Sequence, residues 1–149
     1  MEKTSFTIDG SCCMVLGFGR VAQALAPRLS ALGATIIIAA RSSEQLARTT
    51  SLGYTPLYLG SLAEGVNKAD LIFNTIPALI VTEEIIEKIE PGTVIIDLAS
   101  APGGVDFQAA ERYRLTAILA LGLPGKVAPK TAGKILATQL PGLIKQKFN

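Results

Sequence analysis

Two kinds of hydrophobic segment alternate along the chain. Short continuous apolar runs recur at Cys12–Leu16, Thr35–Ala40, Leu71–Phe73, Thr93–Ile96 and Thr116–Leu121. Each has the length of a strand, and several are rich in Ile and Val, as strands buried on both faces are. Segments with helical spacing lie between them. Val21, Leu25, Leu29 and Leu32 recur every three or four residues. Leu46 and Leu52 flank a polar stretch that Ser42 or Ser43 can cap. Thr82-Glu83-Glu84 precedes Ile85, Ile86 and Ile89, which places acids in a first helical turn. A last helix is expected from near Pro129, carrying Ile135, Leu136, Leu140 and Ile144.

Strand and helix alternating about five times imply right-handed crossovers and a parallel sheet covered on both sides. The pattern therefore predicts an α/β fold with a doubly wound parallel sheet. Stop signals agree: Gly33, Gly53 and Pro91-Gly92 follow the predicted helices. Pro27 fits less well, because a proline inside a helix removes a hydrogen bond and costs ~3 kcal/mol. A bend is expected there, or a helix whose proline faces solvent. Residues 1–11 read as a lead-in and 12–149 as one domain. Pro141-Gly142 is expected to interrupt the last helix.

Composition narrows the function classes. The chain is 49% hydrophobic and 17% charged, enough apolar surface for a sizeable core. Its 14 basic and 12 acidic residues leave a dispersed +2 charge, which argues against a nucleic-acid partner. There is no His, which excludes a Ser-His-Asp triad, a histidine acid and any imidazole metal site. Cys12 and Cys13 are adjacent, so they suit neither an ordinary disulfide nor a zinc site and read as core thiols. The amino-terminal stretch lacks a signal-peptide core, and no apolar run approaches the ~20 residues of a membrane span. A soluble cytoplasmic protein with no membrane partner is expected.

The most specific local signal is Gly17-Phe18-Gly19-Arg20-Val21-Ala22, straight after an apolar run and straight before a helix. Gly17 permits the tight turn, Gly19 lets a pyrophosphate approach the backbone, and Ala22 keeps helix and strand close. The helix start then offers free N–H groups to the phosphates. This is the dinucleotide loop of a Rossmann-type NAD(P)-binding domain; the alternative is a tight turn with no ligand. At the end of the second strand an NAD site usually has an acid for the ribose 2′-hydroxyl. Here Arg41 stands with Ser42 and Ser43, and a guanidinium binds a 2′-phosphate through two hydrogen bonds. NADP is therefore the expected cofactor, with NAD second, unless Arg41 is only a solvated strand-end residue.

Ligands in such sheets lie beyond the carboxyl ends of the strands. Asn74, Thr75, Ile76 and Pro77 follow one strand and are expected at the nicotinamide ribose. Asp97, Leu98, Ala99 and Ser100 follow the next, and Gly122, Leu123 and Pro124 the last; these are expected to face the ring. Asn74 and Asp97 can equally be turn caps. Asp97, Ser100 and Lys130 are candidates for catalysis, and Lys126 and Lys130 for binding substrate carboxylates.

Taken together, VLGFGRVA, AARSSEQLAR, NTIPALIVT, IIDLAS with PGGVDF, and GLPGKVAPKTAGKILA resemble the A-subunit family of dipicolinate synthase over about residues 8–140. The last motif, Gly122 to Gly133, is far more specific than the glycine loop. The D-2-hydroxyacid dehydrogenases and adenosylhomocysteinase share the loop but not that tail. The resemblance implies an NADP-linked oxidation of a dihydrodipicolinate-type ring to pyridine-2,6-dicarboxylate during sporulation, together with a second, flavoprotein-like subunit. It also implies a separate N-terminal domain ahead of the glycine loop. Here that loop falls within the first twenty residues, so the chain is expected to correspond to the C-terminal, nucleotide-binding half. The surface that packs on the other half should then be exposed, which invites self-association.

Two other readings compete. One is a dinucleotide-sensing or partner-binding module without chemistry. The other is the nucleotide domain of a D-2-hydroxyacid dehydrogenase-like enzyme, disfavoured because those enzymes rely on a His.

Overall fold

The computed structural model describes residues 7–135 and 137–138. It divides into two compact units, residues 1–119 and 120–149. The first unit is built on a six-stranded, all-parallel sheet: β1 (Cys12–Leu16), β2 (Thr35–Ala40), β3 (Thr55–Tyr58), β4 (Leu71–Asn74), β5 (Val94–Asp97) and β6 (Thr116–Leu119). The strand order is β3-β2-β1-β4-β5-β6, so the chain reverses direction across the sheet between β1 and β4. That is the arrangement of a Rossmann-type nucleotide-binding domain.

The alternation of side chains along the strands feeds two cores. Met14, Leu16, Ile37, Ala39, Ile72 and Ile95 point to one face, where Leu62 and Val66 and then Ile86, Ala109 and Ala110 pack on them. These come from α3 (Leu62–Gly65) and the residue after it, α4 (Glu83–Ile86) and α5 (Phe107–Arg112). Cys13, Val15, Ile36, Ile38, Leu71 and Phe73 point to the other, under Ala22, Ala26 and Leu29 of α1 (Arg20–Ala31) and Leu46 of α2 (Ser43–Ser51). Residues on successive strand positions thus serve opposite layers, as a sheet covered on both sides requires.

Several expectations are met and some need correction. Ser42 caps α2, its hydroxyl oxygen accepting from the Gln45 N–H at 3.2 Å. Pro27 sits inside α1 on the exposed, solvent side. The apolar runs predict five strands, and six are present among the described residues. The additional strand, β3, reads Thr-Pro-Leu-Tyr and lies at the sheet edge, the place where a strand tolerates a proline. Of the cysteine pair, Cys13 is fully buried, but Cys12 is only half-buried at the start of β1. The lead-in is already tied down before β1: the Gly10 N–H donates to the Gly33 carbonyl, and the Ser11 carbonyl accepts from Thr35.

In the second unit the stretch after Gly122 is helical, not a loop: α6 spans Leu123–Val127. Pro124 lies in its first turn, where a missing N–H costs nothing, so the proline marks a helix start. Residues 129–135 and 137–138 are also helical, which agrees with a helix beginning at Pro129. Leu136, Leu140, Pro141, Gly142 and Ile144 lie outside the described residues. No described helix is long and apolar enough to cross a membrane.

Candidate functional site

The strand register sets the site. Leu16 pairs with Ala39 on one side and Asn74 on the other, Asn74 with Asp97, and Asp97 with Leu119. One row of residues therefore crosses the sheet at the carboxyl ends of five strands. The residues that follow this row are free to turn out of the sheet together, and they form the crevice.

Gly17 leaves β1 with φ +99°, a left-handed conformation that suits glycine. Its N–H donates to the Ala39 carbonyl at 2.8 Å, so this amide is used by the fold. A Cβ at Gly17 would stand 2.7 Å from Thr75 Oγ1 and 3.0 Å from Ile76 Cγ1. A Cβ at Gly19 would meet nothing within 4 Å, because that position faces open space. Gly19 is the N-cap of α1; it makes no side-chain cap bond, and no acid stands in the first turn. The amides there lack intrahelical partners and the positive end of the helix dipole is uncompensated.

A cavity of about 460 Å³ opens over this turn. Gly17, Phe18 and Gly19 form its floor, Arg41 and Gln45 one side, and Thr75, Ile76 and Pro77 the other. Arg41 is exposed just beyond β2, and the Arg48 guanidinium lies 5.9 Å from the centre of the Phe18 ring. Every lining residue belongs to the first unit. The cavity thus has a strand-to-helix turn with open approach to backbone amides, a cation at one end and an apolar rim at the other. That donor set suits a diphosphate with an anionic group on its adenosine side.

Not every residue expected here reaches the cavity. Ala22 is fully buried beneath α1, where it sets the close approach of helix and sheet. Arg20 and Val21 are exposed on the first turn. Ser42 and Ser43 are exposed beside Arg41, with the Ser42 oxygen used in the α2 cap. Leu98 and Ala99 are turned into the protein, while Ser100 is exposed. Gly122, Leu123, Pro124, Lys126 and Lys130 belong to the second unit, in which Gly122 has φ +65° and Lys126 and Lys130 are exposed. Gln45 and Leu59 line the cavity, and the sequence reading does not single them out. Gln45 has a legible signal, since it sits three residues after the Ser42 cap. Leu59 has none, because it follows the unrecognised β3.

Asn74 and Asp97 are both completely buried. Asn74 Nδ2 donates to Asp97 Oδ1 at 2.8 Å and to the Ile76 carbonyl at 3.0 Å, and its Oδ1 accepts from the Ile76 N–H at 3.1 Å. Asp97 Oδ1 also accepts from the Ala99 N–H at 3.0 Å, and Oδ2 from the Gly104 N–H at 2.9 Å. The Gly104 carbonyl in turn accepts from Ile80 and Val81. The pair therefore laces the loops after β4 and β5 together. This corrects one expectation: with zero exposure and both oxygens engaged, Asp97 does not present a proton acceptor to the crevice.

These features define the class. Residues 2–107 match the family described as D-isomer specific 2-hydroxyacid dehydrogenase, NAD binding domain, and the chain belongs to that family. The match ends before the Gly122–Gly133 stretch. Within that class the chain is 46% identical over 146 residues to the dipicolinate synthase A-subunit of Bacillus subtilis (strain 168), covering 98% of this chain and 49% of the relative. The crystal structure of that dipicolinate synthase component from Bacillus subtilis superposes with a TM-score of 0.93 at 46% identity, over 97% of this chain and 49% of that one. For the dipicolinate synthase A-subunit from Bacillus halodurans the TM-score is 0.92 at 46% identity, over 95% and 49%. The resemblance read from the sequence motifs is thus established, and the chain spans about half the length of these relatives. Its domain is of the NAD(P)-binding, oxidoreductase type.

Proposed function

We propose that this chain is the NADP-binding half of an oxidoreductase that converts a dihydrodipicolinate-type ring to pyridine-2,6-dicarboxylate during sporulation. The observation that carries the cofactor choice is Arg41. It stands exposed at the adenosine end of the cavity, where an NAD site usually has an acid. The 46% identity to the dipicolinate synthase A-subunit supports the substrate.

In this reading the α1 N-terminus and Gly19 take the diphosphate, and Arg41 with Ser42 and Ser43 takes the 2′-phosphate. Thr75, Ile76 and Pro77 border the nicotinamide ribose. The loop at Leu98–Ser100 belongs to the ring side. A bound nicotinamide supplies the hydride acceptor. The substrate ring gives up one hydride and one proton, and the products are the aromatic dicarboxylate, the reduced cofactor and H+. Aromatisation supplies much of the driving force, so the chain contributes mainly orientation. The two substrate carboxylates need cationic or N–H partners, for which the exposed Lys126 and Lys130 are this chain's candidates. Ser100 and Lys130 are the candidates for handling the proton, along with groups on the other half of the enzyme. Partner contacts with a second, flavoprotein-like subunit and a cytoplasmic location follow from the same assignment.

The test is reconstitution. The chain joined to the N-terminal half of a dipicolinate synthase A-subunit and mixed with the second subunit should form reduced nicotinamide from NADP when given the dihydro substrate. Arg41→Ala in that assembly should raise KM for NADP and leave the reaction with NAD unchanged. Dinucleotide binding without turnover in the complete assembly would instead favour a sensing module.

A further inference from the structure

Asp97 is a fully buried carboxyl group that the proposed chemistry does not use. Its carboxylate is an acceptor-only group held by three neutral N–H donors, those of Asn74, Ala99 and Gly104. No Lys or Arg forms an ion pair with it among the described residues. Gly104 is held close under the same node: a Cβ there would lie 2.6 Å from the Ile76 carbonyl oxygen and 2.7 Å from that of Ala78. A charge so enclosed is poorly screened by water and acts on its surroundings over a longer range than a surface carboxylate.

Its place in the fold gives that field a direction. The strand order puts β2 and β5 on opposite sides of the β1–β4 switch point. With Arg41 at the β2 end and the diphosphate over Gly19, a dinucleotide must extend its other half toward β4 and β5. Asp97 ends β5, and it is bonded to Asn74, which shapes Ile76 in the cavity wall. The ring at that end is a cation when oxidised and neutral when reduced.

We infer that Asp97 is a specificity-determining residue: its enclosed carboxylate under the nicotinamide end of the crevice makes the site prefer oxidised over reduced cofactor. This rests on the dinucleotide assignment above. The preference has a use, since an enzyme that consumes NADP+ benefits from a site that rejects the reduced product. A unit charge acting at the effective dielectric of a protein interior changes the ratio of the two affinities on the order of tenfold.

The test is equilibrium binding of NADP+ and NADPH to the purified chain, by calorimetry, for the wild type and Asp97→Asn. The wild type should bind NADP+ about tenfold tighter than NADPH, and Asp97→Asn should bring the ratio close to one. A residue that only braced the two loops would weaken both forms by the same factor when replaced and leave the ratio unchanged, which overturns the inference. The wild-type ratio decides independently of whether the variant folds: equal affinities, or tighter NADPH, also overturn it. Binding of neither form by the wild type overturns the dinucleotide assignment, and this inference with it.

Discussion

The Thr75 hydroxyl donates to the Leu16 carbonyl at 2.7 Å, and the same oxygen stands 2.7 Å from where a Cβ on Gly17 would lie. Thr75 begins the loop after β4, and Leu16 ends β1. The bond therefore bolts the two strand ends on either side of the switch point and closes the space beside the glycine turn. Side chain and missing side chain are complementary at this point.

Gly17→Ala should test that complementarity. Ala would have to adopt a left-handed backbone and displace Thr75 or Ile76. A loss of about 2 kcal/mol or more in unfolding free energy is expected, measured by urea denaturation. Wild-type stability with unaltered dinucleotide affinity would show that the turn has room the structure does not show.

Thr75→Val keeps the shape and removes the hydroxyl. The Leu16 carbonyl retains its bond from the Thr75 N–H at 3.1 Å, so the cost should be only about 1 kcal/mol. Affinities for NADP and NAD should fall by a similar, small factor, because both share the diphosphate over this turn. Thr75→Ser should restore them.

These residues also show what a sequence can reveal. The glycine turn is legible because its requirement is local: a strand, a left-handed position and a helix start follow one another within a few residues. The strands β1, β2, β4 and β5 are legible because burial on both faces writes continuous apolar runs, and the edge strand β6 because Ala117, Ile118 and Leu119 are apolar although only partly buried or exposed. The edge strand β3 is not, since Thr55, Pro56 and Tyr58 are exposed and carry no such run. Asn74 and Asp97 both stand out at strand ends, yet their roles depend on a contact between side chains 23 residues apart. Nothing in the spacing announces that pairing, and it turns a candidate proton acceptor into a buried tie. Pro124 misleads in the other direction, because a proline in a first helical turn and one in a loop look alike in a sequence.

Arg41→Ala should separate the two cofactors. Loss of a charge-assisted, two-pronged contact to the 2′-phosphate should weaken NADP roughly tenfold to a hundredfold and leave NAD nearly unchanged. Parallel calorimetric titrations of wild type and variant give the comparison. Equal losses for both cofactors would mean that Arg41 serves some shared part of the ligand.

Pro27 offers a stability prediction remote from the site. It lies mid-helix in α1 on the solvent side, where little burial compensates the missing hydrogen bond. Pro27→Ala should restore the bond to the Gln23 carbonyl and raise the unfolding free energy by about 1–3 kcal/mol. A lower midpoint of thermal unfolding would show that the proline supports the helix in its present course.

Cys12 should respond to its neighbour. Burial first and the Asp70 carboxylate second push its thiol above the ordinary range, while Lys68 opposes them. A folded-state value raised in this way stabilises the fold below the ordinary thiol range, and that contribution is lost as pH rises through the elevated value. Asp70→Asn keeps an acceptor for the Cys12 N–H, now bonded to Asp70 Oδ2 at 2.7 Å, and removes the charge. Alkylation of Cys12 at mildly alkaline pH should then be faster than in the wild type. An unchanged rate would mean that burial alone controls the thiol.

The central claim is that the turn after β1 and the end of β2 hold one dinucleotide between them. Amide chemical shifts followed by nuclear magnetic resonance during titration with NADP+ test this most directly. Saturable shifts concentrated at residues 17–22 and 41–45, with smaller ones at Thr75 and Ile76, are expected. Shifts that never saturate, or that cluster instead around the separate groove lined by Asn67, Glu90, Pro91 and Tyr113, would contradict it.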